Sequence, residues 1–591
     1  MRHAVLVALV LSGCGDSSDV VDDCRFRTSA DEVEPPPLHT PRWAFRPWIS
    51  KDISDDADTR AFVDGFAQRG IPVGAVVLDS PWETHYNTFV VNDARYPAFD
   101  KLVDDLHARD IRVVLWITQM VNRTGFDLET GGDSYTGPSP NYDEGKRCGF
   151  YVDNASDNLW WKGSGSGVDF FDREAVGWWH RQQDPLYAIG IDGWKLDFGE
   201  EYLANEFETD AGLTSRQDYS EAYYADYLAY GASKRPEFVT MVRPYDRSYG
   251  FPGRFFARKE HAPVGWVGDN RRDWIGLADA LDHMFRSAAA GYVAVGSDIG
   301  GYLDRDDLDI TGDEIPADTL VFARWTALGA LTPFMQLHGR ANLAPWTVID
   351  HADETVALYR YWATLHDELV PWWYSTSRAA QRGGSNVMKP LGNEASWPSD
   401  YRYTLGDAFL VAPILDATNV RDIALPAGRW YDWWRPANAA LVGDTTLAGY
   451  AMPERDRIPL FVREGAIVPM TVGSAVTGLG TPARTAALTV LVWPAATETR
   501  FDLVDEDDAT TTIAARGTPV SVELSRVLRP TYLRIRAEAA PTTVRVGAAV
   551  LAEQPTDAAL DASTTGWRYD AATRALWVKL AAGAAATVEL N

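Results

Sequence analysis

The chain has 591 residues, with 55 Lys and Arg against 83 Asp and Glu, and a formal net charge of −28. That length makes room for several domains, one of them barrel-sized. The acidic balance argues against nucleic acid or an anionic membrane surface as a partner. The composition is that of a globular protein, with 23 Trp and 25 Tyr standing out. Aromatic faces stack on the apolar faces of sugars and also fill cores, so the excess is a pointer towards carbohydrate and no more.

Met1-Arg2-His3 is a short positive start, and Ala4 to Leu11 is an apolar run too short to span a bilayer. Leu11-Ser12-Gly13-Cys14 resembles a bacterial lipobox. Residues 1–13 are therefore expected to be a signal peptide, with Cys14 as the lipidated first residue of the mature chain. The Asp-rich and Pro-rich residues 14–39 then form a lipoprotein tether. This predicts an exported bacterial protein, periplasmic or at the cell surface, that meets the membrane only through its N-terminal lipid. No later stretch is long and apolar enough to span a bilayer. In an exported chain Cys24 and Cys148 are either a disulfide closing a long loop or two free thiols.

From residue 40 short apolar runs alternate with longer amphipathic stretches, as in βα units. Strands are predicted at 43–45, 73–79, 112–117, 193–198, 238–243, 264–269, 292–298 and 334–338. Helices are predicted among them at 55–69, 100–109, 218–234, 274–290 and 318–331. Eight such units closing on themselves make an α/β fold, a (β/α)8 TIM barrel over residues 40–375. Polar residues recur at the strand ends, namely Asp79, Asp197, Arg243, Asp269, Asp298 and His338. That end of a barrel is where active sites lie. The connection between Ile117 and Gly193 is long, rich in Gly, Asp and Ser, and carries Trp160-Trp161-Lys162-Gly163. Long connections of this kind are lids or binding loops, and this one is placed to wall a pocket.

After residue 376 the helical period stops and short alternating runs interrupted by turn signals take over. C-terminal β-sandwich domains are expected there, a proximal one at 376–474 and a distal one at 475–591.

The stretch from Gly190 to Glu200 holds the chemistry. Side chains alternate along a strand, so Gly193, Lys195 and Asp197 share one face. A lysine and a carboxylate on an otherwise apolar strand are costly to bury unless they pair or do work. Asp269, in Trp266-Val267-Gly268-Asp269-Asn270, is the second acidic strand end. Two carboxylates in different environments suit glycoside hydrolysis, one attacking the sugar and the other donating a proton. Lys195 would hold Asp197 ionised, and the apolar neighbours of Asp269 would raise its pKa. No His and carboxylate cluster has metal-ligand spacing, so no metal and no cofactor is expected.

Lys195-Leu196-Asp197-Phe198-Gly199-Glu200 resembles the nucleophile motif of glycoside hydrolase family 31, the retaining α-glucosidases and α-xylosidases. Ile71-Pro72-Val73 running to Leu78-Asp79 resembles that family's second strand, and Trp266 to Asn270 its acid/base segment. Gly296-Ser297-Asp298-Ile299-Gly300-Gly301-Tyr302 resembles its DIGG-type motif, and Leu337-His338-Gly339 with Pro345-Trp346 its eighth-strand motif. Gly406-Asp407 to Pro413, Leu425 to Asp432 and Ile458 to Arg463 are also similar, so the resemblance covers about residues 40–475.

The resemblance implies Asp197 as nucleophile and Asp269 as general acid/base. It implies Asp79, Lys195, Arg243 and His338 as holders of sugar hydroxyls, and Trp161, Trp266 and Asp298 as residues shaping the pocket. Arg254 and Arg258 compete with Arg243 for its place in the motif. The family commonly carries a β-sandwich before the barrel, one loop of which helps form the pocket. Here the barrel is expected to begin near residue 40, which leaves the pocket either more open or filled in by residues 122–167. The expected activity is that of a retaining exo-α-glycosidase acting on α-glucosidic or α-xylosidic bonds of a glycoside or oligosaccharide. The alternatives are a sulfoquinovosidase, a transglycosidase or a lyase on the same scaffold, or a non-catalytic glycan-binding surface lipoprotein.

Overall fold

The structure is a computed structural model that describes residues 23–306, 312–348 and 350–591. The expected signal peptide and Cys14 lie outside the described residues. Eight parallel strands form the barrel: β1 (Trp48–Lys51), β2 (Ala75–Leu78), β3 (Arg112–Ile117), β4 (Gly193–Leu196), β5 (Val239–Val242), β6 (Val264–Trp266), β7 and β8 (Gln336–Leu337). Strand β7 is broken at Ser297. Val295–Gly296 pairs with β6, and Asp298–Ile299 pairs with β8. The sheet closes through Trp48 and Ile49 of β1, which pair with Gln336 and Leu337. Gly296 is required at the break, because a Cβ there would lie 2.0 Å from the Phe334 carbonyl oxygen.

Seven of the eight predicted strands coincide with observed ones, and the first does not. Trp43-Ala44-Phe45 forms a 3₁₀ turn, and β1 starts at Trp48. The run is apolar because it plugs the barrel's lower mouth, where the Trp43 and Trp48 rings stack 5.3 Å apart. Above this plug the inward positions of the strands, among them Ala75, Val77, Val114, Val239, Met241 and Val264, fill the barrel. The same alternation turns Lys195 inward.

The helices follow their sequence signals closely. Asp55, Ser215, Asp273 and Asp318 cap four of them by accepting backbone N–H bonds, which satisfies donors that a helix start leaves open. Gly190 ends Arg173–Ile189 at φ 113°, a left-handed conformation that places the chain directly before β4.

The long connection after β3 is not structureless. Met120–Gly125, Gly163–Gly167 and Asn158–Trp160 form an antiparallel three-stranded sheet, joined by the helix Tyr142–Cys148. Cys24 and Cys148 are disulfide-bonded, with their Cα atoms 5.4 Å apart. The bond straps the N-terminal segment to the insertion, and the Glu174 carboxylate accepts the backbone N–H of Phe26 and Arg27 beside it. The bridge spans 124 residues of sequence. Replacing both cysteines by Ser is expected to lower the unfolding free energy by about 2–5 kcal/mol. Guanidinium melts of the two proteins measure this, and coincident curves would refute it.

The helix Val370–Gln381 continues a few residues beyond 376 before the β-rich part begins. A six-stranded sheet running from Met388 to Arg463 follows, then a five-stranded and a six-stranded sheet packed around a core of their own. The strand Ile467–Met470 already belongs to the five-stranded sheet. No helix among the described residues is long and apolar enough to cross a membrane.

Candidate active site

The barrel turns its ionisable residues towards one mouth. Asp197 follows β4, Arg243 follows β5 and Asp269 lies three residues past β6. Arg243 is fully buried and lies between the two carboxylates. Its Nε and Nη2 donate to Asp197 Oδ1 at 3.0 and 2.8 Å, and the same Nη2 donates to Asp269 Oδ2 at 2.7 Å. Those two oxygens are thus at most about 5.5 Å apart. Arg243 Nη1 also donates to Asp246 Oδ2, and Asp246 is fixed in turn by the backbone N–H and hydroxyl of Ser248.

The shared cation does not make the two carboxylates alike. Burial pushes Asp197 up, but the Arg243 and Lys195 charges outweigh it. Hydrogen bonds from Trp116 Nε1, at 3.0 Å, and from the Phe198 N–H add to them, leaving the carboxyl below its ordinary range. At Asp269 burial wins. The negative charges of Asp197 and Asp298 add to it, and the pKa rises to about 6 despite Arg243. Near pH 5 the pair therefore holds one ionised and one protonated carboxyl.

Lys195 carries a second group. Its ammonium donates to Asp79 Oδ2 at 2.7 Å and lies 3.4 Å from His338 Nδ1. His338 Nε2 is 2.7 Å from Asp52 Oδ1, and its Nδ1 is 3.4 Å from Asp298 Oδ2. Burial and Lys195 both push the imidazole down. Asp52 and Asp298 overcome them and hold its pKa near about 10, so the ring is protonated at neutral pH. Asp52, Asp79 and His338 lie close enough together to ligate a cation. The Lys195 ammonium, bonded to Asp79, already supplies the positive charge there.

A cavity of about 290 Å³ opens above these groups. Asp79, Trp161, Lys195, Asp197 and Asp269 line it, together with Trp116, Phe198, Tyr202, Tyr249 and Tyr302. The insertion supplies one wall through Phe126, Leu128, Glu129 and the run Leu159 to Lys162. Trp266, Asp298, Arg243 and His338 are not in the lining; they are buried beneath it. The Trp266 ring supports the cations from below, 4.6 Å from the Arg243 guanidinium and 5.3 Å from the Lys195 ammonium. Arg254 and Arg258 go elsewhere, to Glu200 with Glu201 and to Glu221.

Sequence reading missed Asp52, Trp116 and Asp246. Asp52 had a signal, since it ends β1 just as Asp79 ends β2. Trp116 had one too, as an inward position of β3 level with Lys195, its partner in the strand register. Nothing in the sequence marks Asp246, whose role follows from the turn that folds it back onto Arg243.

A barrel with an ionised and a protonated carboxyl held on one guanidinium, under an aromatic-walled cavity of sugar size, has the equipment of a glycoside hydrolase. The description "Glycosyl hydrolases family 31 TIM-barrel domain" matches residues 37–376, and "Glycosyl hydrolase family 31 C-terminal domain" matches residues 384–468. The chain belongs to glycosyl hydrolase family 31. It is 25% identical to an isomaltosyltransferase of Sporosarcina globispora over 94% of this chain and 53% of that protein. It is 24% identical to an α-xylosidase of Emericella nidulans, over 73% of this chain and 54% of the relative. An α-glucosidase of Saccharolobus solfataricus is 25% identical, over 74% and 64%. The chain thus spans between about half and two thirds of the length of these relatives. Among solved structures its fold matches a cycloalternan-forming enzyme from Listeria monocytogenes in complex with a pentasaccharide. The TM-score is 0.79 and the identity 22%, over 94% of this chain and 55% of the other. It also matches a dextranase of Flavobacterium johnsoniae complexed with glucose, with TM-score 0.77 and 19% identity, over 94% and 71%.

Proposed function

We propose that the protein is a retaining exo-α-glycosidase acting on α-glucosidic or α-xylosidic bonds. Asp197 is the nucleophile and Asp269 the general acid/base. The observation that carries this reading is the single Arg243 nitrogen bonded to both carboxylates. It keeps their facing oxygens no more than about 5.5 Å apart, which supports the close carboxyl spacing of retaining enzymes (~5–5.5 Å) over the ~6.5–9.5 Å that leaves room for an inverting water.

In the first step an Asp197 oxygen attacks the anomeric carbon as the glycosidic bond breaks, and Asp269 gives its proton to the leaving oxygen. A β-linked glycosyl-enzyme results. Asp269, now ionised, takes a proton from water as that water displaces Asp197, and an α-sugar leaves. Asp79 and Lys195 on the cavity floor offer an acceptor and a donor for the ring hydroxyls. His338 lies below them, paired with Asp52 and Asp298, while Asp79 holds Lys195.

The test is stereochemical. Proton NMR of the first minutes of cleavage of an aryl α-glucoside should show the α-anomer of the free sugar ahead of mutarotation. The β-anomer appearing first would overturn the reading.

A second reading has its own support. The isomaltosyltransferase relative aligns with 94% of the chain, distal sheets included, and the wall of Trp161, Tyr202 and Tyr249 offers stacking surfaces to a sugar acceptor. In that case the glycosyl-enzyme passes to a sugar hydroxyl instead of water. The products from isomaltose then include saccharides longer than the substrate. Export with lipidation at Cys14 remains part of the proposal on the N-terminal sequence alone.

A further inference from the structure

Glu129 sits on the insertion at the cavity wall, with its side chain 11% exposed, and the steps above do not use it. Its Oε2 accepts from the Lys162 ammonium at 2.6 Å, and its Oε1 lies 3.1 Å from the Tyr302 hydroxyl. Two counts leave this carboxyl short of partners.

The first is a count of charge. Lys162 is 1% exposed and already lies 2.9 and 2.8 Å from the two oxygens of Asp127. One buried cation thus faces two carboxylates. The second is a count of protons. Tyr302 has one hydroxyl proton and two carboxylate neighbours, Glu129 and, at 2.9 Å, Asp52 Oδ2. Asp52 is held ionised. Burial opposes this, but His338, Lys195 and the Tyr302 hydrogen bond outweigh it. The Tyr302 proton therefore goes to Asp52, and the short contact with Glu129 is a hydrogen bond only if Glu129 is the donor.

The groups facing Glu129 come from every side. Lys162 and Asp127 belong to the insertion, Asp52 follows β1, and Tyr302 follows β7. The Tyr86 ring, 5.6 Å from Lys162, comes from the loop after β2. Burial is the largest influence on Glu129, and the charges of Asp52 and Asp127 reinforce it. Against Lys162 they lift the carboxyl to about 7.

We propose that Glu129 is a positioning residue that carries a proton in the working enzyme and, as a neutral carboxyl, docks the insertion onto Tyr302 so that the aromatic wall stands against the sugar. Loss of the proton would set Glu129, Asp52 and Asp127 against one another and would remove the Glu129–Tyr302 bond. The insertion then lets go of the barrel at the rim of the pocket, and sugar affinity falls. This rests on the reading of the cavity as a sugar pocket.

The experiment compares Glu129, Glu129→Gln and Glu129→Ala, each in an Asp197→Ala background that does not turn over. Calorimetry gives the dissociation constant for isomaltose from about pH 5.5 to 8.5. With Glu129 in place, binding should weaken about tenfold as pH rises through about 7. Glu129→Gln should bind tightly with that step gone, because its amide offers Tyr302 a permanent donor and Lys162 an acceptor. Glu129→Ala should be weak throughout. Asp269 titrates in the same cavity but is present in all three chains, so the difference between Glu and Gln isolates Glu129. Infrared spectra at about pH 5.5 supply a readout that needs no sugar. The carbonyl band of neutral carboxylic acids, to which Asp269, Glu83 and Glu368 also contribute in every chain, should be weaker by one carboxyl in Glu129→Gln than with Glu129. An unchanged band, or a Gln variant with the same pH step as Glu129, overturns the proposal. If isomaltose binds none of the three while the band behaves as expected, the proton on Glu129 stands and the sugar reading is what fails.

Discussion

Asp197→Ala is expected to lower kcat for an aryl α-glucoside on the order of 10⁴-fold or more while leaving the fold intact. The loss is large because no neighbouring group can take over the attack. Asp269 is protonated in the starting state, and Asp79 is bonded to Lys195. The fold survives because the charge removed is one of several around Arg243. The guanidinium keeps Asp246 and Asp269, and Lys195 keeps Asp79. The variant also permits a sharper check. Azide should enter the space left by the carboxyl and attack the anomeric carbon from the face that Asp197 occupied, expelling the aryloxide and giving a β-glycosyl azide. The corresponding Asp269→Ala variant should give the α-azide, since its nucleophile is intact and azide intercepts the glycosyl-enzyme. Wild-type-like turnover by Asp197→Ala, or an α-azide from it, removes Asp197 from its assigned role.

The strand ends were legible in the sequence because a barrel concentrates its ionisable residues there, and a buried strand has no other use for them. Asp79, Lys195 and Asp197 needed only the period of two and a turn signal. Asp52 was lost with β1. An apolar tripeptide that plugs the barrel mouth carries the same local signal as a strand, so Trp43-Ala44-Phe45 took the place of Trp48–Lys51. The choice among Arg243, Arg254 and Arg258 was not a sequence question. All three have carboxylate partners, and only the tertiary arrangement gives Arg243 the two catalytic candidates. Trp266 was read as pocket and lies beneath it, because its inward strand position puts it one layer below the lining. The insertion's three-stranded sheet escaped notice for a different reason: a strand of alternating Gly and Ser, Gly163–Gly167, has almost no β-propensity of its own. It is held by pairing on both sides.

Arg243→Met should be more damaging to the protein than Asp197→Ala, although both residues touch the same site. Removing the guanidinium leaves Asp197, Asp246 and Asp269 buried without the cation that binds all three. An uncompensated buried charge costs about 3–5 kcal/mol, so denaturant melts of the variant should show a loss of that order. The remaining carboxyls escape part of the cost by taking up protons, and this has a consequence for the chemistry. Arg243 is the leading influence that lowers Asp197 and the leading influence that opposes burial at Asp269. Without it both carboxyls rise. In the wild type, activity should fall as pH rises through about 6, where Asp269 loses the proton it donates. In Arg243→Met that alkaline limb should move upward. The acid limb, set by the ionisation of Asp197, should move upward with it. Residual turnover should therefore shift to higher pH, besides being lower at every pH. Arg243→Lys restores one charge but cannot bridge two carboxylates with a fork of nitrogens, so it should recover most of the stability and little of the rate. A pH profile of Arg243→Met that keeps both wild-type limbs would show that the guanidinium does not set the protonation of the pair.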